Sequence, residues 1–101
     1  MFNSIKLTLY TQEDCYYCHE LKCKLIQWDY SFREINVSYD LFAKDFLKEN
    51  KHRTVPQLYW NKTHLNKVPT KELTKQHIED ELDYENYLGG VENWGTTRVS
   101  R

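Results

Sequence analysis

The stretch EDCYYCHELKC, Glu13 to Cys23, holds all three cysteines of this 101-residue chain. It admits three chemistries. Cys15 and Cys18 make a C-x-x-C dithiol; with His19 the run becomes C-x-x-C-H, the attachment signature for c-type haem; with His19 and Cys23 it offers four zinc ligands.

The flanking residues weigh between them. Ile5, Leu7 and Leu9 alternate with Lys6, Thr8 and Tyr10, the period of a strand with one better-buried face. From Tyr16 the period changes. Leu21, Leu25 and Trp28 recur at helical spacing, with Glu20, Lys22, Lys24 and Gln27 largely between them, which predicts a helix from the first cysteine to about Trp28. The cysteine pair therefore stands where a loop, TQED, leads from a strand into a helix.

Haem attachment is disfavoured because the only methionine is Met1 and a bis-His site would have to recruit His52, His64 or His77. Structural zinc is disfavoured by geometry. The four ligands fall on one short segment, and Cys18 and Cys23 are separated by about 500° around a helix, so they point to different sides. Redox chemistry matches the order strand, loop, C-x-x-C, helix. Unpaired amide N–H groups and the partial positive charge of a helix N-terminus favour thiolate over thiol. Cys15 is then the nucleophile, and Cys18, one turn inside the helix, the sheltered resolving thiol.

Downstream, Ile35 and Val37 alternate with Glu34 and Asn36 as a second strand, and YDLFAKDFLKEN traces a helix whose apolar side is expected to carry Leu41, Phe42, Phe46 and Leu47. Strand, helix, strand, helix reads as a parallel pair with a crossover. VPQLYW is a further strand interrupted at its start by Pro56, and NKT a turn into HL, so an antiparallel hairpin is expected. TKELTKQHIEDEL favours helix, with Leu73, Ile78 and Leu82 as its buried residues. The remainder holds all three glycines and no clear period; 95–101 is expected to fray.

Length allows one domain, 1–101, with a single core. Fourteen Lys+Arg against 15 Asp+Glu give a formal charge of -1 without a long basic run, which argues against nucleic acid as the partner. No segment approaches the roughly 18 to 20 apolar residues of a membrane helix. The N-terminal MFNSIKLTLYTQEDC lacks the features of a signal peptide. The expectation is a monomeric, cytoplasmic protein without membrane association, in a compartment where a C-x-x-C is more often catalytic or metal-binding than a staple.

With CYYC after a strand and helix-opening loop, Thr54-Val55-Pro56 (TVP) roughly forty residues later, and Gly89-Gly90 before Glu92 and Asn93, the sequence resembles the glutaredoxins. That family has a thioredoxin fold and reads C-P-Y-C, T-V-P and G-G-x-x-D. The resemblance covers about Ile5 to Trp60. It implies an α/β, thioredoxin-like domain: a small mixed sheet, with a parallel β-α-β start and an antiparallel hairpin, flanked by helices. It implies a glutathione-dependent thiol–disulfide oxidoreductase acting on protein disulfides or glutathione mixed disulfides, with no obligatory metal. It further implies that Pro56 is cis, that Val55 pairs with glutathione as an added strand, and that Thr54 and Tyr17 line the groove. Lys51 and Arg53 are the candidates for the glycine carboxylate, and Glu92 and Asn93 for the γ-glutamyl end. Small glutaredoxins of this kind, virus-encoded ones included, commonly serve ribonucleotide reductase; a virus-encoded member would work in the host cytoplasm.

Departures from the family pattern are informative. Tyr16 replaces a common proline, which leaves room for a glutathione-ligated [2Fe-2S] cluster with Cys15 as ligand, the alternative function; a thioredoxin-like reductant that does not use glutathione is another. Glu13-Asp14 replaces the usual upstream lysine, and nearby negative charge opposes the thiolate. The interval from QLYW to GG is longer by about twenty residues, so 61–88 is atypical. Either the helix-favouring segment is an insertion ahead of Glu92 and Asn93, the preferred reading, or HLNK replaces the usual G-G strand end. Cys23 is expected to be a buried small hydrophobe, and His19 exposed.

Overall fold

The computed structural model describes residues 6–83. Within them the chain runs β1 (Lys6–Thr11), α1 (Tyr16–Gln27), β2 (Ser31–Asn36), α2 (Leu41–Glu49), β3 (Gln57–Trp60) and β4 (Thr63–His64), then a 3-10 turn (Thr70–Glu72) and a helix α3 over 75–83. The sheet order is β2-β1-β3-β4. β1 and β2 are parallel, in register from Lys6 opposite Ser31 to Thr11 opposite Asn36; β3 runs antiparallel to β1, with Leu9 opposite Leu58. β4 closes the hairpin, Trp60 opposite Thr63. This is the expected mixed α/β, thioredoxin-like arrangement.

Local signals account for the joints. Two residues, Asn61 and Lys62, join β3 to β4, and Asn61 takes φ 56°, the left-handed region that Asn tolerates in such turns. Asp40 caps α2 through its carboxylate, which accepts the Ala43 N–H at 3.0 Å. At the other end of α2, Lys51 adopts φ 66° and the His52 N–H returns to the Leu47 carbonyl at 2.9 Å. That is the Schellman closure, with lysine where glycine is usual.

The sheet's alternation divides the core. On one face Leu7, Leu9 and Leu58 pack with Leu21 and Leu25 of α1 and with Leu65, Leu73, Ile78 and Leu82. All three apolar residues expected of the 70–83 segment are therefore buried. Lys24 fastens this segment to α1, its Nζ donating to the carbonyls of Thr70 and Leu73 at 2.6 and 3.1 Å. On the opposite face Val37, Ala43 and Leu47 form a smaller cluster with Tyr10, Ile35, Phe46 and Val55. Tyr10 stacks on Phe46, ring centroids 5.2 Å apart, and Tyr59 meets both edge-on.

Two expectations fail. Leu41 and Phe42 are 75% and 90% exposed, and the buried side of α2 is carried by Ala43 and Leu47 with Phe46 partly covered. Helical period groups residues onto a face but does not say which neighbouring face the sheet will cover. Cys23 is exposed, on the opposite side of α1 from buried Cys18, with its Sγ 3.6 Å from His19 Nε2. His19 is exposed, as expected.

Candidate active site

β1 ends at Thr11, and the loop that follows turns sharply at Asp14, φ 56°, before α1 begins. Cys15 is the N-cap of α1: its backbone is extended and its sulfur accepts the Cys18 N–H at 3.1 Å. A sulfur in this position takes up one of the otherwise orphaned amides of the first turn and faces the positive end of a three-turn dipole. A helix N-terminus of this kind favours the thiolate over the thiol of a reduced cysteine placed there. The structure holds the pair oxidised, as a Cys15–Cys18 disulfide. Cys15 is half-buried and Cys18 is 3% exposed, so an incoming group reaches the first sulfur and not the second.

Across from Cys15 lies the loop from Thr54 to Pro56. The Val55–Pro56 peptide is cis, and the Val55 carbonyl oxygen is 3.9 Å from Cys15 Sγ. Among the described residues no backbone group bonds the Val55 N–H or C=O outside this contact. The next residues clamp the loop from behind. Gln57 Nε2 donates to the Thr54 carbonyl at 3.0 Å, and Gln57 Oε1 accepts from His64 Nε2 at 2.7 Å. Asn66, buried, accepts the Leu58 N–H at 2.9 Å and donates to the Pro56 carbonyl at 2.9 Å.

Two cavities meet at this loop. One, of about 550 Å³, is lined by Cys15, Gln12, Val37 and Leu47, by Thr54 and Val55, and by Lys44, Lys48, His52 and Arg53. The other, of about 360 Å³, is lined by Tyr17, Thr54, Val55, Pro56 and Gln57 with Asn66, Pro69, Thr70 and Lys71. Thr54 and Val55 border both, so a groove runs past the sulfur on either side of the proline loop.

Of the residues expected at the site, Cys15, Tyr17, Arg53, Thr54, Val55 and Pro56 line this groove. Lys51 lines neither cavity; it serves the turn that ends α2 and thereby carries His52 and Arg53 to the groove wall. Glu92 and Asn93 lie outside the described residues. The Glu13 carboxylate, expected to oppose the thiolate, is turned to other partners. It accepts from Asn36 Nδ2 at 3.1 Å and from the Tyr39 hydroxyl, a bond that raises the tyrosine's pKa.

Residues that sequence reasoning missed are Lys44, Lys48 and His52 on the wall, and Gln57, His64 and Asn66 behind the loop. Lys44 and Lys48 were findable in principle, being four apart on an evident helix. Asn66 carried no local signal, because its partners, Pro56 of the loop and Leu58 of β3, lie on the far side of the hairpin turn. Burial, and then the proximity of His52, hold the pKa of His64 below its ordinary value; burial does the same to His52. Among the described residues no three His, Cys, Asp or Glu side chains converge as a metal site.

A family model described as Glutaredoxin matches residues 7–65. Among solved structures, the glutaredoxin-like NrdH-redoxin from Escherichia coli is 27% identical at a TM-score of 0.56, the alignment covering 59% of this chain and 79% of that one. A buckwheat glutaredoxin in complex with glutathione is 21% identical at 0.58, covering 80% and 76%. A glutaredoxin from Brucella melitensis is 20% identical at 0.53, covering 93% and 95%. A search of the curated proteins gave no match. The last two likenesses establish the fold alone, but the family model spans more than half of the chain and includes both the cysteine pair and the proline loop. The chain belongs to the glutaredoxin family and is a thiol–disulfide oxidoreductase.

Proposed function

We propose that the protein reduces glutathione mixed disulfides and protein disulfides with glutathione as its electron donor. The observation that carries this reading is the placement of Cys15 against the Val55 peptide group, with a groove extending to both sides. A tripeptide can add to Val55 as a short strand, its backbone meeting the N–H and C=O of Val55, which brings its cysteine sulfur to Cys15. Tyr17 then borders one flank and Arg53 offers a fork for a carboxylate on the other.

In the reaction, the Cys15 thiolate attacks a sulfur of the substrate disulfide, forms a mixed disulfide and expels the other half as a thiolate. For a glutathione mixed disulfide, Cys15 becomes glutathionylated, and a second glutathione thiolate attacks that sulfur to release oxidised glutathione and restore Cys15. For a protein disulfide, Cys18 attacks Cys15, closing the intramolecular disulfide and freeing the substrate dithiol; two glutathione molecules then return two electrons. Ribonucleotide reductase is a proposed protein substrate.

The test is reduction of a glutathione mixed disulfide coupled to glutathione reductase, in the wild type, Cys15→Ser and Cys18→Ser. Loss of all turnover in Cys15→Ser with activity remaining in Cys18→Ser is expected. A folded wild type that is inert with glutathione, yet reduced by a thioredoxin reductase, would instead support a thioredoxin-like reductant. That second reading is favoured by the likeness to NrdH-redoxin, a glutaredoxin-like protein described as having a thioredoxin-like activity profile.

A further inference from the structure

The groove is electrically one-sided. The cavity beside Cys15 is lined by Lys44, Lys48, Arg53 and half-buried His52, and by no carboxylate, in a chain whose formal charge is -1. None of Lys44, Lys48 and Arg53 has an ion-pair partner among the described residues, whereas Lys22, Lys67 and Lys75 are paired with Glu34, Glu81 and Glu79. The helix itself sorts the signs. Lys44 and Lys48 share a face with Leu41, at i, i+3 and i+7, while Asp45 and Glu49 fall on the next face and do not line the cavity. Leu41, 75% exposed, extends this row beyond the cavity as an apolar step.

From this arrangement we infer that the α2 side of the groove selects polypeptide disulfides whose reacting cysteine is flanked by acidic residues. This deepens the thiol–disulfide reading, on which it rests. Of glutathione's two carboxylates, only the glycine carboxylate would lie on this flank when the tripeptide pairs with Val55, and it would engage one cation. A row of two lysines and an arginine, floored by Val37 and Leu47 and continued by Leu41, matches an extended segment carrying several carboxylates and an apolar residue. The chemistry is the one already written: Cys15 takes the substrate sulfur, the leaving thiolate departs, and Cys18 closes on Cys15 while the dithiol's two electrons pass to the substrate. The cations act on encounter and register; they take no part in the sulfur exchange.

The experiment uses fully reduced protein in single turnover, so that glutathione binding does not enter. The substrates are cysteine peptides joined by a disulfide to one chromophoric thiol and differing only in flanks of Glu, Gln or Lys, with bis(2-hydroxyethyl) disulfide as an uncharged reference. The wild type should react with the Glu peptide about five- to tenfold faster than with the Gln peptide at low salt, as a few exposed charge contacts allow. That ratio should fall below about twofold in Lys44→Gln/Lys48→Gln and at high salt, where exposed charges are screened. Reduction of the uncharged reference with Glu and Gln peptides indistinguishable would overturn the inference and leave the oxidoreductase reading standing. So would a preference that survives in the double variant. Discrimination by Lys44 and Lys48 between glutathione mixed disulfide and its esterified form, without any among the peptides, would reassign the cations to glutathione and overturn it too. No reaction with any disulfide would sink both readings.

Discussion

The sulfur of Cys15 lies 3.9 Å from the carbonyl oxygen of Val55, a residue 40 positions away in the chain. Neither segment forms this approach alone. α1 holds the sulfur through its first turn, and the loop is held from the far side by Asn66 and Gln57.

Asn66 is the most exacting of these supports. Asn66→Ala leaves the Leu58 N–H and the Pro56 carbonyl inside the protein without partners, and each orphaned group costs about 1–3 kcal/mol. We expect a loss of about 2–4 kcal/mol in urea unfolding, together with slower reaction of Cys15. A loss under 0.5 kcal/mol would mean that the loop is held by other contacts.

The two ends of α2 should respond differently to truncation. Leu47→Ala opens a cavity under the helix and is expected to cost about 2–4 kcal/mol. Phe42→Ser removes a side chain that is 90% exposed and should change stability by less than about 0.5 kcal/mol. Comparable losses in the two variants would restore the amphipathic reading of YDLFAKDFLKEN.

Acid should weaken the fold through the two histidines. Their pKa values in the folded chain lie below 6.5, so between the folded and unfolded values the unfolded chain binds more protons. Stability from these groups is complete above about pH 6.5 and is lost as pH falls through their folded values. Denaturation midpoints should therefore decline from pH 7.5 to 5.5, and decline less in His64→Asn. Glu34, whose pKa is lowered chiefly by the Thr11 hydroxyl, contributes in a separate window below 4.5. A flat profile across pH 7.5 to 5.5 would remove the histidines from the balance.

Cys23 supplies a simple count. In the oxidised native protein Cys15 and Cys18 are bonded to each other and Cys23 is exposed, so a thiol reagent should titrate one group per chain without denaturant. Cys23→Ser should abolish that reaction. A thiol revealed only by denaturant would mean that it is covered.

What the sequence determined by itself is what depends on neighbours along the chain. Alternation in KLTLYT and the helical spacing of Leu21 and Leu25 set strand and helix, because side-chain direction follows from backbone period. The position of CYYC between them makes Cys15 an N-cap, for the same local reason. Leu73, Ile78 and Leu82 were legible as buried because the segment offers no other apolar row. Tertiary structure decided what depends on which surfaces meet. The exposure of Leu41, Phe42 and Cys23 was settled by where the sheet and its helices place their contacts, and no period along one element reports that. Asn66 gained its role from strand pairing, and Lys44, Lys48 and Arg53 became one wall only when α2 closed over β1 and turned at Lys51. The dithiol is written in eleven consecutive residues, whereas the charge of the groove beside it belongs to the packing.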